Sequence, residues 1–202
     1  MARRRLNKDA EQSLRYKKRL SYLLSRMLSV NDQFNALLSC RRFREIETCQ
    51  ELHRLFEEQS TLGTLEWCKL TGISGLTVAR VSGDSHHFIA ELAKVVKVIP
   101  WTIEQILKAE PIDVVVETNV EAIRAASQKL ALRMPKKGKF RVNLNRRIAK
   151  VDRDTLIREV ATQFPGKVDL DDFEWVCAVE VLGPVTGLGL LRKDEILTLR
   201  LP

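Results

Sequence analysis

The sequence predicts an α+β protein of two units behind a basic N-terminal helix. Three observations carry this. Extended and helical hydrophobic patterns follow one another as β-α-β-β-α-β over residues 31–116. A second set of helical and extended patterns runs from residue 118 to the end. The chain has 202 residues, 45% apolar and 30% charged, an ordinary composition for a globular protein with its own core.

The elements follow in order. Residues 6–28 show Leu20, Leu23, Leu24, Met27 and Leu28 at helical spacing, with Arg15, Lys17, Lys18, Arg19 and Arg26 on the same segment. "FNALLSC" (34–40) reads as a buried strand. "RRFREIETCQELHRLFEEQ" (41–59) reads as a helix with Ile46, Cys49, Leu52, Leu55 and Phe56 inward. "LEWCKL" (65–70) and "LTVARV" (76–81) are strands around the turn "TGISG". Asp84 or Ser85 caps the next helix, which stops before Pro100. A β-branched stretch near 111–116 closes the unit, and the order is the ferredoxin-like one.

In the second unit, Thr118 and Glu121 form a T-x-x-E capping box for a helix to about Leu132. Its inner face carries Val120, Ile123, Ala126 and Leu130. The strand "KFRVNLNRR" follows Pro135, and Asp152 caps a helix over 153–164. "KVDL", "FEWVCAVEVLG" (173–183), "TGLGLL" (186–191) and "EILTLRL" are further strands. The expected organisation is a basic extension over 1–30, a ferredoxin-like domain over 31–112 and a second domain over 113–202.

Charge is distributed in blocks. The net charge is +8: residues 1–30 carry +7, 31–110 carry −2, 111–150 carry +7, and 151–202 carry −4. Blocks of this kind attract polyanions. The sharpest lies at 129–150, with nine Lys or Arg and no acid. Alternation on a strand sends Phe140, Val142 and Leu144 to one face and Lys139, Arg141, Asn143, Asn145 and Arg147 to the other. Lys136, Lys137, Arg146 and Lys150 extend the set. A solvated strand mixes signs to limit repulsion, so phosphate binding is favoured here over a plain edge. Arg41, Arg42 and Arg44 open the first body helix, where they either gather an anion with the free N–H groups or pair with Glu45 and Glu47.

Other features point to no chemistry. Cys40, Cys49, Cys68 and Cys177 form no C-x-x-C pair and read as buried free thiols of a reducing cytoplasm. His86-His87 has no cysteine partner nearby, so no metal site is expected. Gly183, Gly187 and Gly189 have extended patterns on both sides, which indicates a hairpin or bulge instead of a dinucleotide fingerprint. Asp169, Asp171, Asp172 and Glu174 read as a solvated turn. No P-loop, deaminase or nucleophile-elbow motif is present, and no catalytic constellation or cofactor is expected. There is no long uncharged apolar run, so no membrane partner is expected.

The helix, "GKFRVNLNRR", helix, "VDL", strand with "VEVLG" and "TGLGLL" together resemble a THUMP domain. The preceding unit resembles the ferredoxin-like domain that accompanies THUMP in tRNA-modifying proteins. "CRRFREIETCQELHRLF", "TGISGLTVARVSGD" and "ILKAEPIDVVVET" are similar to the stand-alone THUMP proteins that assist a tRNA cytidine acetyltransferase. The likeness covers about 31–200. It departs from the family where a proline usually comes after "VDL", since this chain has "DDFEW" there.

The resemblance implies tRNA binding and delivery of a distant nucleotide to a catalytic partner, an RNA acetyltransferase making acetylcytidine. The expected protein is a cytoplasmic adaptor, not an enzyme, contacting RNA through the basic strand and a glycine loop carrying Gly187 and Gly189. An RNA-modifying enzyme with an unrecognised site, or a protein-binding scaffold using residues 6–28, are the alternatives.

Overall fold

Two five-stranded sheets organise the computed structural model, which describes residues 28–148 and 152–199. The helix expected at 6–28, apart from Leu28, and Lys150 lie outside the described residues. The elements are β1 (Ala36–Cys40), α1 (Glu45–Glu58), β2 (Leu65–Leu70), β3 (Leu76–Val81), α2 (Ser85–Val98) and β4 (Ile106–Pro111). They continue with β5 (Val114–Glu117), α3 (Val120–Ala131), β6 (Lys139–Arg147), α4 (Arg153–Ala161), β7 (Lys167–Val168), β8 (Trp175–Leu182), β9 (Val185–Arg192) and β10 (Leu197–Thr198).

The first sheet has the order β10-β4-β1-β3-β2, antiparallel throughout. The four strands β4-β1-β3-β2 are the expected ferredoxin-like arrangement, with β10 added at the β4 edge. Strand parity places Ala36, Leu38, Ala79 and Ala109 on one face, where Leu52, Leu55, Phe88, Ile89 and Leu92 of the two helices cover them. Asp84 caps α2 by accepting the His86 N–H, as expected.

The second sheet has the order β5-β9-β8-β6-β7. β6 runs parallel to β7 and β8, and the return between β6 and β8 carries α4. β8 and β9 form a hairpin, with Gly183 at φ +82° in its turn. α3 and α4 cover one face, burying Ile123, Leu130, Leu156 and Val160 against Phe140, Leu144, Cys177, Val179 and Leu188.

The helix-free faces meet between the sheets. Leu37, Val78 and Phe34 pack there with Val115, Leu182 and Val185, together with Ile112 and Leu28. Both sheets thus have one helix-covered face and one face turned to the junction.

Several local expectations are corrected. The stretch near 111–116 is two strands: β4 ends at Pro111 in the first sheet, and β5 begins the second. The C-terminal strand pairs with β4, so residues 197–198 join the first sheet while most of the chain beyond residue 113 builds the second. Asn119 caps α3, its side chain accepting the Ala122 N–H, while the Thr118 hydroxyl bonds Thr186 instead. Asn supplies the same short acceptor as Thr one residue later. Asp152 does cap α4, through Thr155 N–H. Ile46 is exposed, because α1 starts at Glu45 and turns Thr48, Cys49, Glu51, Leu52 and Leu55 inward.

The expectation of four free thiols is also corrected. Cys49 and Cys68 form a disulfide, because α1 lies over β2 and brings their Cα atoms to 5.6 Å. Cys40 and Cys177 are buried free thiols, and burial pushes the Cys177 thiol well above its usual range.

Candidate nucleic-acid interface

β6 carries the basic sequence block, and its parity is as expected. Phe140 and Leu144 are buried under the helices and Val142 packs against them, while Lys139, Arg141, Asn143, Asn145 and Arg147 share the opposite face. That face is not a row of free cations. Lys139 pairs with Asp172. Arg147 donates to Glu180 at 2.8 Å, and the Asn145 amide donates to the same carboxylate. Arg141 lays its guanidinium over the Phe173 ring at 4.1 Å. Its Nε is shut off from solvent without a hydrogen-bond partner among the described residues. Arg146 is exposed on the other face.

The structure gathers further cations around the start of β6. Lys136 and Lys137 are exposed in the turn before it, and no ion pair joins either to an acid among the described residues. Register sets Lys139 beside Lys167, and Phe140 beside Trp175, which in turn faces Arg192. Arg192 stacks on Trp175 at 3.8 Å, and Lys193 sits 5.0 Å from the Phe173 ring on which Arg141 also lies. One end of the second sheet therefore presents Lys136, Lys137, Lys139, Arg141, Arg192 and Lys193 around two aromatic rings. The acids of the 169–174 turn lie in the same corner and offset part of the charge. Asp169 is occupied with the N–H groups of Asp171 and Asp172, as a solvated turn requires.

Lys167, Arg192, Lys193, Phe173 and Trp175 were missed by reading the basic block alone. The available signal was the aromatic pair in "DDFEW", at the place where the chain departs from the family pattern.

Gly187 and Gly189 do not belong to this surface. Both are buried inside β9, not in a loop. A Cβ on Gly189 would come within 2.8 Å of the Pro111 carbonyl, and one on Gly187 within 3.1 Å of Ile112. They are glycines so that the first sheet can pack closely on the second, which buries both of them. Arg41, Arg42 and Arg44 precede α1 in a separate turn. Arg44 pairs with Glu47 at 2.7 Å, as one alternative anticipated, while Arg41 and Arg42 are exposed.

Two polar groups link the sheets, one buried and one half-buried. At the first, Glu180 and Glu110 lie together, with Lys108 on Glu110 and Arg147 on Glu180. Burial and the neighbouring Glu110 carboxylate push Glu180 up to about 7 from the usual 4.5, against the pull of Asn145 and Arg147. The folded state then holds a proton that the unfolded chain has lost between these values. Stability accordingly falls as pH rises from about 4.5 to 7 and levels off above that. Glu180→Gln keeps the acceptor for Arg147 and removes the titration. Urea midpoints at pH 5 and pH 8 should show the variant gaining on the order of 1–3 kcal/mol relative to wild type at the higher pH. An unchanged difference between the two pH values would sink this account.

The second polar group centres on Asp113, between β4 and β5. It takes His86 Nε2 at 3.1 Å, Arg133, and the Leu190 N–H at 2.7 Å. His86 Nδ1 lies 3.1 Å from Glu195. Burial opposes the charge on His86, but the carboxylates on its two nitrogens prevail and raise its pKa. Burial likewise opposes the Asp113 charge, and His86, Arg133 and the backbone donor hold its pKa below the usual range. His86 is thus a clamp joining α2, the crossover and the C-terminal segment. Among the described residues no group of three or more His, Cys, Asp or Glu is placed to hold a metal ion, and no helix is long and apolar enough to cross a membrane.

The two sheets and their helices define an α+β protein with a ferredoxin-like unit followed by a THUMP-like one. Solved structures share this fold. PH1313 from Pyrococcus horikoshii Ot3 superposes with a TM-score of 0.57 at 14% identity, over 81% of this chain and 55% of its own. TrmN from Thermus thermophilus gives 0.51 at 17% identity, over 78% and 45%. A 4-thiouridine synthetase solved in complex with RNA and ATP gives 0.50 at 14% identity, over 80% and 42%. The chain thus spans about half the length of the structures it matches. No protein-family model matches the sequence, and no curated protein matches it.

Proposed function

We propose that this chain is a tRNA-binding adaptor that holds tRNA for a separate modification enzyme. The observation that carries the proposal is the cationic and aromatic corner at the start of β6. Lys136 and Lys137 are exposed and joined to no acid among the described residues, and Arg141, Arg192 and Lys193 are braced on Phe173 and Trp175. The fold shared with a synthetase solved on RNA supports the same reading. The sequence likeness to acetyltransferase-assisting THUMP proteins makes a tRNA cytidine acetyltransferase the favoured partner, acting in the cytoplasm. The adaptor needs no cofactor of its own.

Purified protein should bind tRNA with an affinity that falls steeply with salt. Neutralising about six phosphates gives a log–log slope near −5. A flat salt dependence would count against the proposal. Incubation of the protein alone with unmodified tRNA and common group donors should give no product; turnover would favour the rival in which the chain is itself an enzyme.

A further inference from the structure

Phe43 is the most conspicuous exposed aromatic of the first unit, at 82% exposure, and lies in the turn Arg41-Arg42-Phe43-Arg44. Its backbone has φ +67°, a left-handed conformation that a bulky residue rarely adopts. The turn is fixed from beneath. The Glu45 carboxylate accepts the Phe43 N–H at 3.1 Å and also the Gly75 N–H, and Arg44 is engaged by Glu47. Arg41 and Arg42 remain exposed, and no ion pair ties them to an acid among the described residues. These bonds fix the backbone of the turn, but they leave the phenyl ring itself in water, beside Arg41 and Arg42. Such outliers persist where the surroundings enforce them, and they cluster at binding sites.

Charge decides the occupant. Trp101 is also exposed, at 76%, but it borders a cleft lined by Glu47, Glu51 and Glu104 against the one cation Arg54, which already serves Glu58 and the Thr102 carbonyl, so the cleft would repel a phosphate chain. Phe43 has cations on its own turn. An aromatic face beside paired arginines fits single-stranded nucleic acid, in which a base stacks on the ring while adjoining phosphates meet the guanidinium groups.

We infer that Phe43 is a stacking platform for an unpaired RNA base, with Arg41 and Arg42 holding the flanking phosphates. This rests on the RNA-binding proposal and extends it to a single-stranded segment contacting the first unit.

The test compares tRNA affinity, by fluorescence anisotropy over a salt series, in wild type, Phe43→Ala, Phe43→Trp, Phe43→Gly and the double variant Arg41→Ala/Arg42→Ala. Phe43→Ala should weaken binding about 10-fold without changing the salt slope, because no charge is lost. Phe43→Trp should keep or improve affinity. The arginine pair should lower the slope by about 2. Phe43→Gly should bind as weakly as Phe43→Ala yet melt about 2–4 °C higher, since glycine removes the strain. Wild-type affinity in Phe43→Ala, with binding still sensitive to Lys136 and Lys137, would overturn the inference alone and redirect Phe43 to a protein contact. Absence of wild-type binding to tRNA would overturn both proposals.

Discussion

Asp113→Ala should lower the unfolding free energy by about 3–5 kcal/mol, read from urea denaturation at pH 7. Asp113 is where three separate pieces of backbone meet. Its carboxylate serves His86 of α2, Arg133 after α3, and the Leu190 N–H inside β9. Alanine leaves the Leu190 N–H without its acceptor. It also strands the His86 charge between α2 and the C-terminal segment, with Glu195 as its remaining partner. Removing one partner from a buried ionic group costs far more than the pair contributes net, because the remaining groups stay desolvated.

The pH dependence of the clamp separates its two titrating members. The raised His86 pKa gives stability that is present below about 6.5 and is lost as pH rises through the folded value. The lowered Asp113 pKa gives stability that is present above about 3.8 and is lost as pH falls through the folded value. Asp113→Ala should therefore lose most between these limits. A loss below about 1 kcal/mol at pH 5.5 would show that the clamp does not join the units.

The clamp was not legible in the sequence, and the reason is physical. His86 and Asp113 are far apart along the chain, and only the closing of β4 on β1 sets α2 beside the crossover. The same applies to Arg147 and Glu180. Strand parity, a local property, correctly divided β6 into Phe140, Val142 and Leu144 on one side and the polar set on the other. Parity does not say what faces the polar set. In the fold that is β8, whose register brings Glu180 beside Asn145.

Local signals fared well where a single residue carries the geometry. Asp84 and Asp152 cap as expected, and β2 and β3 have the expected ends. They failed where two residues compete for one role, as Thr118 and Asn119 do. They failed again where tertiary approach sets the residue. The sequence offers Gly187 and Gly189 as a hairpin or bulge whose glycine loop meets RNA, yet both lie inside β9 and let Ile112 and Pro111 come close. Cys49 and Cys68 are separated by 19 residues and meet only because α1 lies over β2.

The partnering on β6 reverses the order of importance among the basic residues. A cation adds to polyanion affinity through the counterions its phosphate contact releases. Lys139 and Arg147 already hold carboxylates, so a phosphate must displace Asp172 or Glu180 to reach them. Lys136, Lys137 and Lys193 carry no such pair among the described residues. The triple variant Lys136→Ala/Lys137→Ala/Lys193→Ala should lose about 10–100-fold in tRNA affinity near 0.1 M salt, and its salt slope should shrink by about 3. Lys139→Ala should change affinity less than about threefold. Arg147→Ala should act chiefly on stability, since it leaves the buried Glu180 carboxylate with Asn145 alone against Glu110. Thermal melts therefore accompany each binding curve, so that weakened folding is not read as weakened binding. If Lys139→Ala proves as costly as the triple variant, the phosphate path runs along the polar face of β6 and its ion pairs open on binding. If none of these variants alters affinity while wild type binds, the second sheet is not the RNA surface.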